Sequence, residues 1–171
     1  MIKHIRNQKE IERLSGKFKL RGYNLMEHSY MVLSLYLRVC DEEHVAVTIA
    51  NVDAILNHDI VETITLDLPH PIKNLNEETK ASWNIIEEHC VKELAPELTP
   101  YTDYNLKKRF TERQYEIFKL CDLLDLWMYC IEEQECGNMS TEIQDVVVNC
   151  ESMLKGKCET VDKMMEEFNN G

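Results

Sequence analysis

The run 118–128, Phe-Lys-Leu-Cys-Asp-Leu-Leu-Asp-Leu-Trp-Met, is apolar almost all round a helix, yet it carries Asp122 and Asp125. A helix that is hydrophobic on every side belongs inside a core. A carboxylate buried there is costly unless it is paired, hydrogen-bonded or bound to a metal. The run therefore predicts a long helix over 106–134 that crosses the core with aspartates committed to partners.

The flanking segments are helical too. A broad apolar stripe of Tyr30, Val32, Leu33, Leu35, Tyr36 and Leu37 predicts a helix over 25–40. The β-branched stretch 45–49 suits a strand, but its spacing continues through Val52, Ile55 and Leu56, which predicts a helix over 43–58. Pro69 and Pro71 break any helix and make 65–71 a loop. Asn76, followed by Glu77 and Glu78, caps a helix to Leu94 with Trp83, Ile85, Ile86 and Cys90 facing inward. The segment 96–103 is a connector. Gly137 ends the long helix, Thr141-x-x-Gln144 forms a capping box for the next, and a short last helix covers 160–168. With no repeat or linker, 1–171 reads as a single all-α domain.

Composition narrows the partners. Acidic residues outnumber basic ones 31 to 19, a formal charge of −12 that disfavours any nucleic-acid polymer. A small anion held by local Arg and Lys stays within reach. Seven cysteines, an odd number with no C-x-x-C pair, point to reduced thiols in a cytoplasm. No apolar h-region follows the N-terminal charges, so no signal peptide is expected. No stretch approaches the roughly 18 apolar residues of a membrane span. A short helical domain with apolar residues to spare is expected to pair as a homodimer or higher homo-oligomer, with Met164, Met165 and Phe168 in core or dimer packing.

Several polar residues interrupt apolar helices: His28, the adjacent His58 and Asp59, and the pair Asp122 and Asp125. Two histidines and two aspartates from three helices form a reasonable set for one divalent ion, with positions left for water and a substrate oxygen. Singly, each also reads as an ordinary core histidine, a helix cap or a partner of a lysine. At this level either aspartate serves equally.

The order of these residues carries more. Glu27-His28-Ser29, then the sixteen-residue string from His58 to Lys73, H-D-x-x-E-x-x-T-x-D-L-P-x-P-x-K, and finally Cys121-Asp122 resemble the HD-domain phosphohydrolases. Within them the string is similar to the bacterial 5′-deoxynucleotidases, and also to small phage enzymes that strip triphosphate from deoxynucleoside triphosphates. The resemblance spans 13–133, about two thirds of the chain. It implies a helical HD-domain bundle and a metal-dependent hydrolase acting at the α-phosphate of a deoxynucleotide. One divalent ion (Mn, Co, Zn or Mg) would be held by His28, His58, Asp59 and Asp122. Glu62 would be the catalytic acid or base, Asp67 would read the sugar 3′-hydroxyl, and Arg13 and Lys73 would hold phosphate oxygens.

Three departures accompany the match. Leu14 stands where the deoxynucleotidases carry an aromatic, Leu66 replaces a Gly before the aspartate, and His70 replaces a small polar residue. Ser15-Gly16-Lys17-Phe18 is closer to the phage type. The leading expectation is a 5′-deoxynucleotidase yielding deoxynucleoside and phosphate. The alternatives are a dATP-preferring triphosphohydrolase of phage type and a non-catalytic nucleotide-binding module. Lys107, Lys108, Arg109 and Arg113 read as a solvated face, or as a contribution to distal phosphates.

Overall fold

The computed structural model describes residues 1–66 and 75–170. Among them, nine helices follow in order: α1 (Ile2–Asn7), α2 (Leu25–Glu42), α3 (Ile49–Leu56), α4 (Glu62–Thr65), α5 (Glu77–Leu94), α6 (Asp103–Lys107), α7 (Glu112–Glu135), α8 (Thr141–Leu154) and α9 (Glu159–Asn170). Tight 3₁₀ turns cover Gln8–Glu10 and Pro96–Tyr101. The expected proline loop, with Asp67, Lys73 and His70, lies outside the described residues.

α7 is the central helix that its sequence demands. It packs against α2 on one side and α8 on another, with α9 also in contact. Ile117, Phe118, Cys121, Leu124, Trp127 and Cys130 are fully enclosed along it. Trp127 meets Phe168, and Met164 and Met165 are buried, so the C-terminal apolar residues complete this core. No helix among the described residues is long and apolar enough to cross a membrane.

Several boundaries differ from expectation. The helix expected over 43–58 is only Ile49–Leu56. The chain leaves α2 through His44 in a left-handed conformation (φ 54°), with Val45 N–H returning to the Cys40 carbonyl at 2.8 Å. Such a helix end usually carries Gly, and no Gly marks it here. Thr48 then starts α3 in a reciprocal capping box with Asn51. The long helix likewise begins at Glu112, not Leu106, because Thr111 and Gln114 form a second capping box. The Thr141-x-x-Gln144 box does not form. Ser140 is the cap residue without a side-chain bond, and Gln144 reaches the Met139 carbonyl instead. On α5, Ile85 and Ile86 face outward at 68% and 50% exposure, and Val91 is its buried residue.

The cations expected on a solvated face mostly have local partners. Arg109 pairs with Asp53 at 2.5 Å and Arg113 with Glu43 at 2.8 Å. Lys107 and Lys108 lie over the rings of Tyr115 and Tyr104.

Candidate metal centre

Local structure places each donor. Asn24 caps α2 by accepting the Met26 and Glu27 N–H groups at 3.0 Å, which sets the helical phase that turns His28 fully inward. α3 stops at Leu56, and the turn that follows buries His58 while its Nδ1 donates to the Ile55 carbonyl at 2.7 Å. Asp59 is next in that turn, and its carbonyl accepts the Glu62 N–H at 2.9 Å. Asp122 comes from the middle of α7.

These four side chains converge. His28 Nε2 lies 3.1 Å from His58 Nε2, 3.2 Å from Asp122 Oδ1 and 3.8 Å from Asp59 Oδ2. His58 Nε2 is 3.2 Å from Asp59 Oδ2 and 3.9 Å from Asp122 Oδ1. All five separations fall within the roughly 4.2 Å that two ligands of one ion can span at bond lengths of about 2.1 Å. His28, His58 and Asp59 alone already meet the separation expected of a shared ion.

The donor chemistry fits a cation. The Ile55 carbonyl can only accept, so the His58 proton sits on Nδ1. His28 Nδ1 faces Asp125 Oδ2 at 2.6 Å, so its proton sits there as well. Both Nε2 atoms then point lone pairs at one another across 3.1 Å. A divalent ion bound between the imidazoles and Asp59 would satisfy those three groups, with Asp122 within reach of both imidazoles as a fourth.

Fixed charges agree with that reading. Burial works against the charge on Asp59, yet His58 and Arg13 beside it hold its carboxyl far below the usual carboxylate range. Asp122 is likewise desolvated and is held low by Lys119 and His28. Burial would lower the His58 pKa, but Asp59 raises it overall: the acidic field draws positive charge to this point, and a bound ion would take the place of a proton on His58.

Arg13 reaches the centre from the 11–24 segment and donates to Asp59 Oδ2. That segment is pinned by an isolated bridge between Glu12 and Asn24 and by Arg13 N–H to the Tyr23 carbonyl at 2.7 Å. Glu133, fully buried near the end of α7, accepts the Leu20 and Arg21 N–H groups at 2.8 Å and anchors the far side. Arg13 Nε is buried and has no hydrogen-bond partner among the described residues. Glu62 is buried at the start of α4, one turn beyond His58.

A cavity of about 900 Å³ opens from this centre between α7 and α8. Arg13, Lys119 and Asp122 line it at the metal end, and Leu14, Leu123 and Val146 give it an aliphatic wall. Of the basic run, Arg113 reaches it.

The structure thus brings His28, His58, Asp59, Asp122 and Arg13 together. Two nearby contributors escaped the sequence reading. Lys119 was detectable as an i,i+3 partner of Asp122. Tyr23, whose hydroxyl reaches Asp125 at 2.7 Å, left no signal.

Comparison with known proteins adds an independent finding. The family model described as 5′-deoxynucleotidase YfbR-like matches residues 1–170. The 5′-deoxynucleotidase of Shewanella oneidensis is 28% identical over 180 residues, covering 91% of this chain and 84% of that protein. The 5′-deoxynucleotidase YfbR of Salmonella arizonae is 27% identical over 154 residues, covering 79% and 73%. In fold, the chain is similar to the HD phosphohydrolase DatZ of cyanophage S-2L, solved with dA and one catalytic Zn²⁺. The TM-score is 0.75 at 18% identity, over 99% of this chain and 95% of that one. An HD-domain phosphohydrolase of Listeria innocua gives 0.77 at 22% identity, over 97% and 84%.

Proposed function

The chain belongs to the YfbR-like 5′-deoxynucleotidase family, and from that premise we propose that it cleaves deoxynucleoside monophosphates to deoxynucleoside and phosphate. It is a metal-dependent phosphohydrolase of deoxynucleotides. The observation that supports the site assignment is the meeting of two bare Nε2 atoms and two carboxylates, with each imidazole's Nδ1 already hydrogen-bonded. We assign His28, His58, Asp59 and Asp122 as the ligands.

A divalent ion bound there supplies Lewis acidity at the phosphoryl group and acidifies water. The chain's own residues do the rest. Arg13 keeps Asp59 oriented through one Nη and brings its guanidinium charge to the phosphoryl oxygens, where charge neutralisation is the main electrostatic task. Glu62 takes a proton from the attacking water or delivers one to the departing 5′-oxygen. The family motif assigns Asp67 to reading the 3′-hydroxyl and Lys73 to holding the phosphate. The aliphatic wall with Leu14 accommodates the nucleoside without an aromatic stack at that position.

The deciding assay offers dNMPs, NMPs and dNTPs in parallel to the purified protein with Mn²⁺, Co²⁺ or Zn²⁺. Deoxynucleoside and phosphate from dNMPs support the reading. Tripolyphosphate from dNTPs, or no turnover with any metal, overturns it.

Self-association belongs to the same proposal. Met26, Tyr30 and Leu37 form an exposed apolar stripe at helical spacing on α2, with Met31 beside it. Sedimentation equilibrium giving a dimer supports this, and a monomer at micromolar concentration overturns it. Seven free cysteines fit a reducing cytoplasm as the place of action.

A further inference from the structure

Asp122 and Asp125 sit three residues apart on α7 and grip opposite ends of one imidazole. Asp122 Oδ1 is 3.2 Å from His28 Nε2, whereas Asp125 Oδ2 is 2.6 Å from His28 Nδ1. The same Asp125 oxygen accepts the Tyr23 hydroxyl at 2.7 Å, and that hydroxyl lies 3.1 Å from His28 Nδ1. Both residues are buried, and the Tyr23 ring is stacked on Tyr129 at 4.0 Å with the Arg13 guanidinium 5.5 Å from its centre.

We propose that Asp125, held by Tyr23, is a positioning residue that fixes the tautomer and ring orientation of His28 for metal binding. This rests on the metal centre proposed above. An imidazole binds a metal through a nitrogen that carries no proton, and a partner at the other nitrogen decides which one that is. His58 uses a backbone carbonyl for this purpose, which substitution of a side chain cannot remove directly. His28 uses a side chain, so its geometry is open to mutation. Tyr23 adds a second hold on the same oxygen. Its stacking and its contact with Arg13 join the metal end of the site to the phosphate end.

The test measures metal binding, not turnover. Zn²⁺ and Mn²⁺ affinities are determined by chelator competition for the wild-type chain, Asp125→Asn and Tyr23→Phe, with helical circular dichroism as the check of folding. Long-range ¹H–¹⁵N spectra of the metal-free proteins report the His28 tautomer. Asp125→Asn is expected to bind roughly 10–100-fold more weakly, with the His28 Nδ1–H tautomer depleted. Tyr23→Phe shifts the same His28 signals and weakens binding by less. Should Asp125→Asn fail to fold, Tyr23→Phe decides alone. Affinity within twofold of wild type, with an unchanged His28 tautomer, overturns the inference. A wild-type chain that binds neither ion overturns the metal centre itself, which is a different result.

Discussion

Lys119 Nζ lies 2.5 Å from Asp122 Oδ2, the carboxylate oxygen that turns away from the two imidazoles. The lysine occupies that oxygen and leaves Oδ1 toward His28. Its side chain is half-exposed to the cavity on one side while Asp122 is nearly enclosed. Burial opposes its charge, but Asp122 raises its pKa well above that of an ordinary lysine. Lys119 is therefore cationic whenever substrate arrives, and with Arg13 it lines the metal end of the cavity. Lys119→Met should lower kcat/KM by roughly tenfold or more, the size of a lost charge-assisted hydrogen bond. Steady-state kinetics on dNMP at saturating metal checks this, and an unchanged kcat/KM removes Lys119 from phosphate binding.

Glu62 offers a cleaner separation of chemistry from binding. It is not among the four proposed ligands, so Glu62→Gln should leave metal content stoichiometric while kcat falls about 10²–10⁴-fold. Elemental analysis alongside turnover measures both. Loss of metal together with activity would make Glu62 a ligand and not a proton carrier.

Much of the centre was legible because burying charge is expensive. His28, His58, Asp59 and Asp122 stand out as polar residues in apolar helices, and their order carries the family motif. Choosing between Asp122 and Asp125 was beyond residue counting. One turn of α7 separates them, and only the packed position of His28 shows that they face different nitrogens. The helix ends were less visible. His44 reverses the chain without glycine, so the apolar spacing across 43–58 hides the break. The Thr111-x-x-Gln114 box was present in the sequence, but continuous apolar periodicity beyond it favoured an unbroken helix.

The anchoring carboxylates predict an acid limb of stability. Burial pushes the Glu133 pKa up, but hydrogen bonds from Asn138, the Leu20 and Arg21 N–H groups and Tyr129 bring it below its ordinary value. Glu43 is lowered by Thr160, Cys158 and Arg113. A carboxyl whose folded pKa is depressed adds stability above its unfolded pKa and loses it as pH falls through the folded one. The thermal midpoint should therefore drop as pH is lowered below about 4.5. Glu133→Gln should flatten part of that drop. At neutral pH the same change should cost about 1–3 kcal/mol, because an amide nitrogen cannot accept the N–H groups that the carboxylate does. Calorimetric scans from neutral pH into the acid range measure both effects. An identical acid limb in the variant would show that Glu133 is not among its causes.

Leu66 predicts a gain in stability. Its backbone lies at φ 63° and ψ 164°, a region that essentially only glycine occupies without strain. The side chain is 63% exposed, so little burial compensates for that conformation. It stands immediately before Asp67, at the position where the family motif carries Gly. Relief of such a conformation is worth about 1–3 kcal/mol, against roughly 0.5–1 kcal/mol for the added freedom of glycine in the unfolded chain. Leu66→Gly should then be stabilising by about 1 kcal/mol, which raises the thermal midpoint by roughly 2–4 °C in a chain of this size. Ordinarily a Leu-to-Gly change does the reverse. Thermal unfolding of Leu66→Gly beside Leu66→Ala distinguishes the cases: the alanine variant keeps the Cβ and so keeps the strain. If glycine lowers the midpoint as much as alanine does, strain at residue 66 is not what sets the stability of this turn.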